Sequence, residues 1–220
     1  MREHAGQAKD TYRVNDYFEC LGERRLPWLE PEDLKERFLR ISGPWHPDRH
    51  HGADDATRRE AGERYAALNT AYQALREPRT RLSHLLELEA GSKPKDIQRI
   101  PPGTMDLFVE VGQVCRDVDG FLAERSGVSS PMLKVRLFRQ GMEWVERLKA
   151  LQAKVSAKER ELGDEVRGMN GDWEGAPPPG DSGRPGALPL ARLEEIYRVL
   201  SYAARWTGQI QERLVQLATG

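Results

Sequence analysis

Cysteine is scarce in this chain. The two present, Cys20 and Cys115, lie far apart and outside any C-x-x-C pair. That argues against a disulfide framework and a structural zinc site, and it suits a reducing cytoplasm. Each cysteine reads as a small buried apolar residue. Long apolar runs are absent too, and none approaches the roughly 18 residues that cross a bilayer. Neither sign of charge dominates: 34 basic against 35 acidic residues leave a net charge of −1. A nucleic-acid binder would show a basic excess, so none is expected here. The opening MREHAGQAKD has no apolar core and carries Glu3 and Asp10, so neither a secretory signal nor a transit peptide is expected there. There is no G-x-S-x-G, no Gly-rich phosphate loop and no carboxylate pair in an apolar setting. The sequence therefore offers no catalytic residues, and the protein is not expected to be an enzyme.

What is present is helical. Residues 1–14 are polar and aperiodic and read as a flexible tail. NDYFECLGE then opens on an Asn or Asp cap and stops at Gly22, a helix of under two turns. PEDLKERFLRI starts with Pro31 and two acids, which a helix start favours. Its Leu34, Phe38, Ile41 and Trp45 share one face, and Gly43-Pro44 must end it. Residues 46–54 read as loop. A second long helix follows, with Tyr65, Leu68, Tyr72 and Leu75 as its apolar stripe, and Pro78 marks the boundary with a shorter leucine-rich one. The spacing predicts an antiparallel helical hairpin with the small first helix across it.

Residues 91–103, rich in Pro and Gly, read as a linker. Three further helical stretches occupy 104–220 and can bury their stripes only by packing together. The last is expected to use Leu193, Ile196, Leu200, Ala203 or Ala204, Ile210 and Leu214. A Gly/Pro-rich loop over 169–189 separates it from its predecessor. The fold class is all-α, with an N-terminal domain over 15–90 and a three-helix bundle over 104–220.

One stretch concentrates chemistry. GPWHPDRHH, residues 43–51, holds three of the five histidines around a Pro-Asp pair. A metal site would want ligand pairs at helical spacing, and none appears nearby. Acid–base work by His46 and Asp48 would need a pocket, whereas the pattern puts them in a polar inter-helix loop. The remaining reading makes His46-Pro47-Asp48 a recognition loop. His50 and His51 are read as solvated neighbours.

That arrangement resembles the J domain of DnaJ-type co-chaperones, in which an HPD tripeptide joins two antiparallel helices. The aromatic Trp45 before the motif fits that pattern, and LNTAYQALREPRTRLSHLL after it is similar to the HscB branch, dedicated to iron–sulfur cluster assembly. NDYFECLGE is similar to the opening of that branch. The resemblance is specific over about 15–88 and only architectural beyond. It implies that the first domain is a J domain and that its HPD loop docks on a DnaK/HscA-type chaperone ATPase and stimulates it. It further implies that residues 104–220 bind a client, the iron–sulfur cluster scaffold protein, in the cytoplasm. Alternatives are a J-domain protein with another client and a J-like helical adaptor that no longer engages a chaperone. No cofactor or metal is implied, and no membrane partner.

Residue by residue, the resemblance assigns chaperone binding to His46, Pro47 and Asp48. J domains usually place basic residues in the turn before the motif, where this chain has Ser42-Gly43-Pro44. Arg37 and Arg40 are then the cations expected to meet the chaperone. For the client, FVEVGQVCRDV is the best match to the first C-terminal helix of HscB proteins, with Phe108, Arg116 and Asp117 aligned. The apolar contact is expected from Leu107, Phe108 and Val111.

Overall fold

The computed structural model describes residues 16–94 and 103–219. The expected tail over 1–14 lies outside them, as does most of the expected linker. The chain separates into two compact units, Met1–Ser92 and Lys93–Gly220.

In the first unit, α1 (Tyr17–Leu21) is short because it is punctuated at both ends. The Asp16 carboxylate accepts the Phe18 and Glu19 amides, and Gly22 closes the helix at φ 64°, a conformation glycine adopts without cost. Next, α2 (Pro31–Ser42) and α3 (Asp55–Arg76) form the hairpin. The Asp54 carboxylate caps α3 by accepting the Ala56 and Thr57 amides, and these bonds hold its pKa below the ordinary value. Glu77 caps α4 (Pro78–Ala90) in the same way. Phe18, Leu21, Leu34, Leu75, Leu82 and Leu85 make the centre of this core. Phe38 stacks on Tyr72 with centroids 4.4 Å apart. Tyr65, expected in the stripe, is only half-buried.

A buried cation fastens the return to the hairpin. Arg81 sits on α4 with almost no exposure. Its Nε–H donates to the Pro27 carbonyl at 2.8 Å and Nη1–H to that of Leu75 at 2.9 Å. Burial pushes its pKa down to about 10. Arg81→Ala would orphan two carbonyls, so a loss of about 2–4 kcal/mol is expected in urea unfolding of this unit. A change below about 0.5 kcal/mol would mean water takes over both bonds.

The second unit is built from α5 (Met105–Ser126), α6 (Pro131–Gly168) and α9 (Leu190–Thr219). Their stripes meet in one core containing Val111, Val114, Val118, Phe121, Leu148, Val155, Trp206 and Ile210. On α9 the buried set includes Val199 and Trp206, while Leu200, expected inside, is only partly covered. The segment over 169–189 is not a continuous loop. It holds two short helices, α7 (Asn170–Gly175) and α8 (Arg184–Ala187). Trp173 and Leu188 bury themselves and pin it down, and Arg184 donates to the Pro177 carbonyl. Composition marked the prolines and glycines but not these apolar anchors.

Arg192 at the start of α9 donates Nε–H and Nη2–H to the two oxygens of Glu165 near the end of α6, at 2.6 and 2.8 Å. Chiefly through those bonds the Glu165 carboxyl is held below its ordinary pKa. A carboxyl depressed in the folded state stabilises above its unfolded pKa and loses that contribution as pH falls through the folded value. Both groups are partly solvated, so the contribution is about 0.5–1 kcal/mol. Glu165→Gln is expected to cost that much at neutral pH, the gap from wild type closing as the solution is acidified. An equal cost at every pH would show that shape rather than charge matters.

Candidate functional site

The loop between α2 and α3 is held rather than loose. Gly43 ends α2, and a 3-10 turn over Gly43–Trp45 follows. His46 then adopts extended backbone (φ −62°, ψ 131°), as a residue before proline prefers. A second 3-10 turn covers Pro47–Arg49. The His46 ring caps that turn: its Nδ1 accepts the Asp48 amide at 3.3 Å. With Nδ1 accepting, the proton of a neutral ring sits on Nε2, and the His46 side chain is about half exposed. The Asp48 carboxylate lies 3.6 Å from His46 Nδ1, and its side chain is 89% exposed.

His51 is exposed and His50 half-buried, as expected of solvated neighbours, and each ring also takes a loop carbonyl. His50 Nε2–H donates to the Pro44 carbonyl at 2.8 Å, and His51 Nδ1–H donates to the Asp48 carbonyl at 2.7 Å. A carbonyl only accepts, so both rings must donate, and both bonds brace the loop. From α3, Tyr65 meets the His46 ring edge-on at 5.2 Å, and the Arg64 guanidinium lies 5.6 Å from the Trp45 ring. Sequence pattern had not implicated Arg64. Its signal was the position one turn back along α3 from Leu68, where the hairpin brings α3 level with the loop.

The two cations expected beside the motif are separated. Arg37 turns back toward α1, where its Nη1–H donates to the Gly22 carbonyl at 3.1 Å and Nε pairs with Glu23 at 2.5 Å. It therefore fastens α1 to α2 before it serves any partner. Arg40 is exposed on the solvent face of α2 beside exposed Leu39, and Arg49 is exposed in the loop. The loop thus presents a ring N–H, an open carboxylate and Arg49 on a rigid turn. It is suited to bind a charged surface.

In the second unit the expected apolar residues part company. Val111 is 1% exposed and belongs to the core, so it is not part of any surface patch. Leu107 packs against the same core and is only partly covered. Phe108, 38% exposed, lies at the edge. Its ring sits 6.5 Å from Tyr202 and 6.4 Å from Trp206 on α9. Met105 and Val109 extend this apolar surface. Tyr202 and Trp206 were missed because they fall between the aliphatic positions chosen for the α9 stripe. Among the described residues no group of three His, Cys, Asp or Glu side chains could hold a metal ion. Among them, too, no helix is long and apolar enough to cross a membrane.

No family model matches the chain. A chaperone protein DnaJ from Thermotoga petrophila is 32% identical over 115 residues, covering 51% of this chain and 30% of the relative. A co-chaperone protein HscB from Proteus mirabilis is 31% identical over 74 residues, 34% of this chain and 43% of the relative. The matches thus span less than half the length of these curated relatives. Among solved structures, chaperone HscB from Vibrio cholerae matches with a TM-score of 0.58 at 21% identity, covering 92% of this chain and 99% of that one. Human co-chaperone HscB matches with a TM-score of 0.59 at 19% identity, over 94% and 84%. In sequence over part of its length and in fold over nearly all of it, the chain is similar to the HscB-type J-domain co-chaperones, and it is built on their fold, a helical J domain followed by a helical C-terminal bundle.

Proposed function

We propose that the protein is a co-chaperone without catalytic activity of its own. Its HPD loop engages a DnaK/HscA-type chaperone and stimulates ATP hydrolysis there. Its C-terminal unit presents a client, the iron–sulfur cluster scaffold protein. The observation that carries the first part is the loop itself: His46 and Asp48 are held by a capped turn and by α3, yet the His46 side chain stays about half exposed and that of Asp48 almost fully so. Such a preorganised element loses little freedom on docking. If it binds the chaperone's activated arrangement better than the resting one, it shifts that population. Arg40 and Arg49 supply the attraction toward an acidic chaperone surface, and Arg37 contributes by positioning α1 against α2.

The client half rests on the apolar surface formed by Phe108, Met105 and Val109 beside Tyr202. Single-turnover ATP hydrolysis by the chaperone, with and without scaffold, tests both halves. Stimulation that rises further with scaffold is expected. Stimulation indifferent to scaffold would reassign the client, and none at all would remove the chaperone partner. Phe108→Ala is expected to weaken scaffold binding about tenfold, the effect of losing an aromatic anchor, and to leave stimulation without scaffold unchanged. Equal loss of both activities would indicate a folding defect instead.

A further inference from the structure

The start of α6 carries an apolar surface that nothing in its own unit covers. Glu165 and Arg192 bring the end of α6 level with the start of α9. With 38 residues against 30, α6 then runs on past the other end of its neighbour. Over Pro131–Met142, the overhang and the turn next to it, Leu137 and Gly141 turn inward, and Gly141 lies against Phe121. Val135, Phe138 and Met142 turn outward instead, and Phe138 is 72% exposed. Their spacing of three and four places them on one helical face, with Met132 beside it.

The charges along this face are of one sign. Lys134, Arg136 and Arg139 lie within Pro131–Met142, where there is no acid, and Glu143 is the first that follows. All three cations are exposed, and none is paired with a carboxylate among the described residues. At about 100° per residue, Lys134 borders the apolar stripe on one side and Arg139 on the other. An apolar seam one helix wide between cationic edges complements an acidic amphipathic helix.

We propose that this face of α6 is a second docking surface, separate from Phe108, for an acidic amphipathic helical segment of a partner protein. A lipid surface fits less well, because stable attachment to anionic membranes draws on about four to eight clustered cations. The proposal does not depend on the chaperone or client assigned above.

The test is fluorescence anisotropy of the full chain with a labelled synthetic helix bearing Leu and Phe at helical spacing and Glu elsewhere. Saturable binding is expected, and Phe138→Ser should weaken it about tenfold or more, as for a buried aromatic anchor. Lys134→Glu with Arg139→Glu should weaken it and flatten its salt dependence. A helix with Lys in place of Glu should not bind. Because Phe138 is exposed, its variant should melt like wild type, and Val135→Ser provides an independent check. Absence of binding, or binding indifferent to Phe138→Ser and Val135→Ser alike, would overturn the proposal. So would capture of the wild type but not the variant by phosphatidylserine–phosphatidylcholine vesicles in place of the peptide. Dimerisation abolished by Phe138→Ser would assign the face to a second copy instead.

Discussion

His46→Gln is expected to reduce stimulation of the chaperone ATPase by at least about tenfold while leaving the fold intact. Tenfold corresponds to about 1.4 kcal/mol of docking or activation free energy, within reach of one well-placed hydrogen bond to a charged group. Glutamine keeps an N–H but loses the ring that caps the Asp48 amide and meets Tyr65 edge-on. The donor would no longer be aimed. The ring is half-exposed, so the stability cost should stay near 0.5 kcal/mol, as for most surface changes. Asp48→Asn should produce a loss of similar size by removing the charge and keeping the shape. Circular dichroism, thermal melting and single-turnover hydrolysis on the same preparations separate the outcomes. Lost stimulation with an unchanged melt supports docking by the motif. A melting point lowered in step with activity would make His46 an architectural residue, and unaltered stimulation would remove the motif from the interface.

Leu75→Ala should have the largest effect on stability in the first unit. Leu75 is fully buried at the heart of the α2–α3–α4 core, and its own carbonyl accepts from Arg81. Truncation removes apolar contact and leaves a cavity between helices that cannot close around it. Such substitutions cost about 3 kcal/mol, with a range of about 2–5. Against a total of about 5–15 kcal/mol for a small domain, that is a severe loss. Urea unfolding followed by circular dichroism should show a transition displaced to lower denaturant. The core of the second unit contains no residue of the first, so the signal from its helices should persist beyond that displaced transition. A shift of less than about 1 kcal/mol would mean the site collapses and refills. Stimulation should fall only as far as the folded fraction falls, which distinguishes this variant from His46→Gln.

Much of the fold was legible because its signals are local. Asp16 and Gly22 around α1, and Pro31 and Pro78 at helix starts, each act within one turn, through a backbone amide satisfied or withheld. The apolar periods that predicted α2, α3 and α9 likewise belong to single helices. Errors arose where a residue's fate depends on a neighbour distant in sequence. The stripe on α9 was read through Leu200, yet Val199 is the buried one of that pair, and Trp206 joins the core with α5 and α6. Trp173 and Leu188 turned a Gly/Pro-rich segment into an anchored one because both side chains are buried.

The candidate site divides in the same way. The sequence alone determined that His46, Pro47 and Asp48 occupy a bend between two helices, since proline geometry and helix termination are local properties. It also singled out Phe108. Only the tertiary structure decided which neighbours serve the site. It gave His50 and His51 to the loop's own carbonyls, drew Arg37 back to α1, left Arg40 in solvent and sent Val111 into the core. Each of these outcomes is settled by which surface another helix covers and which carbonyl comes within hydrogen-bonding reach. Those distances exist only once residues from separate segments are packed together.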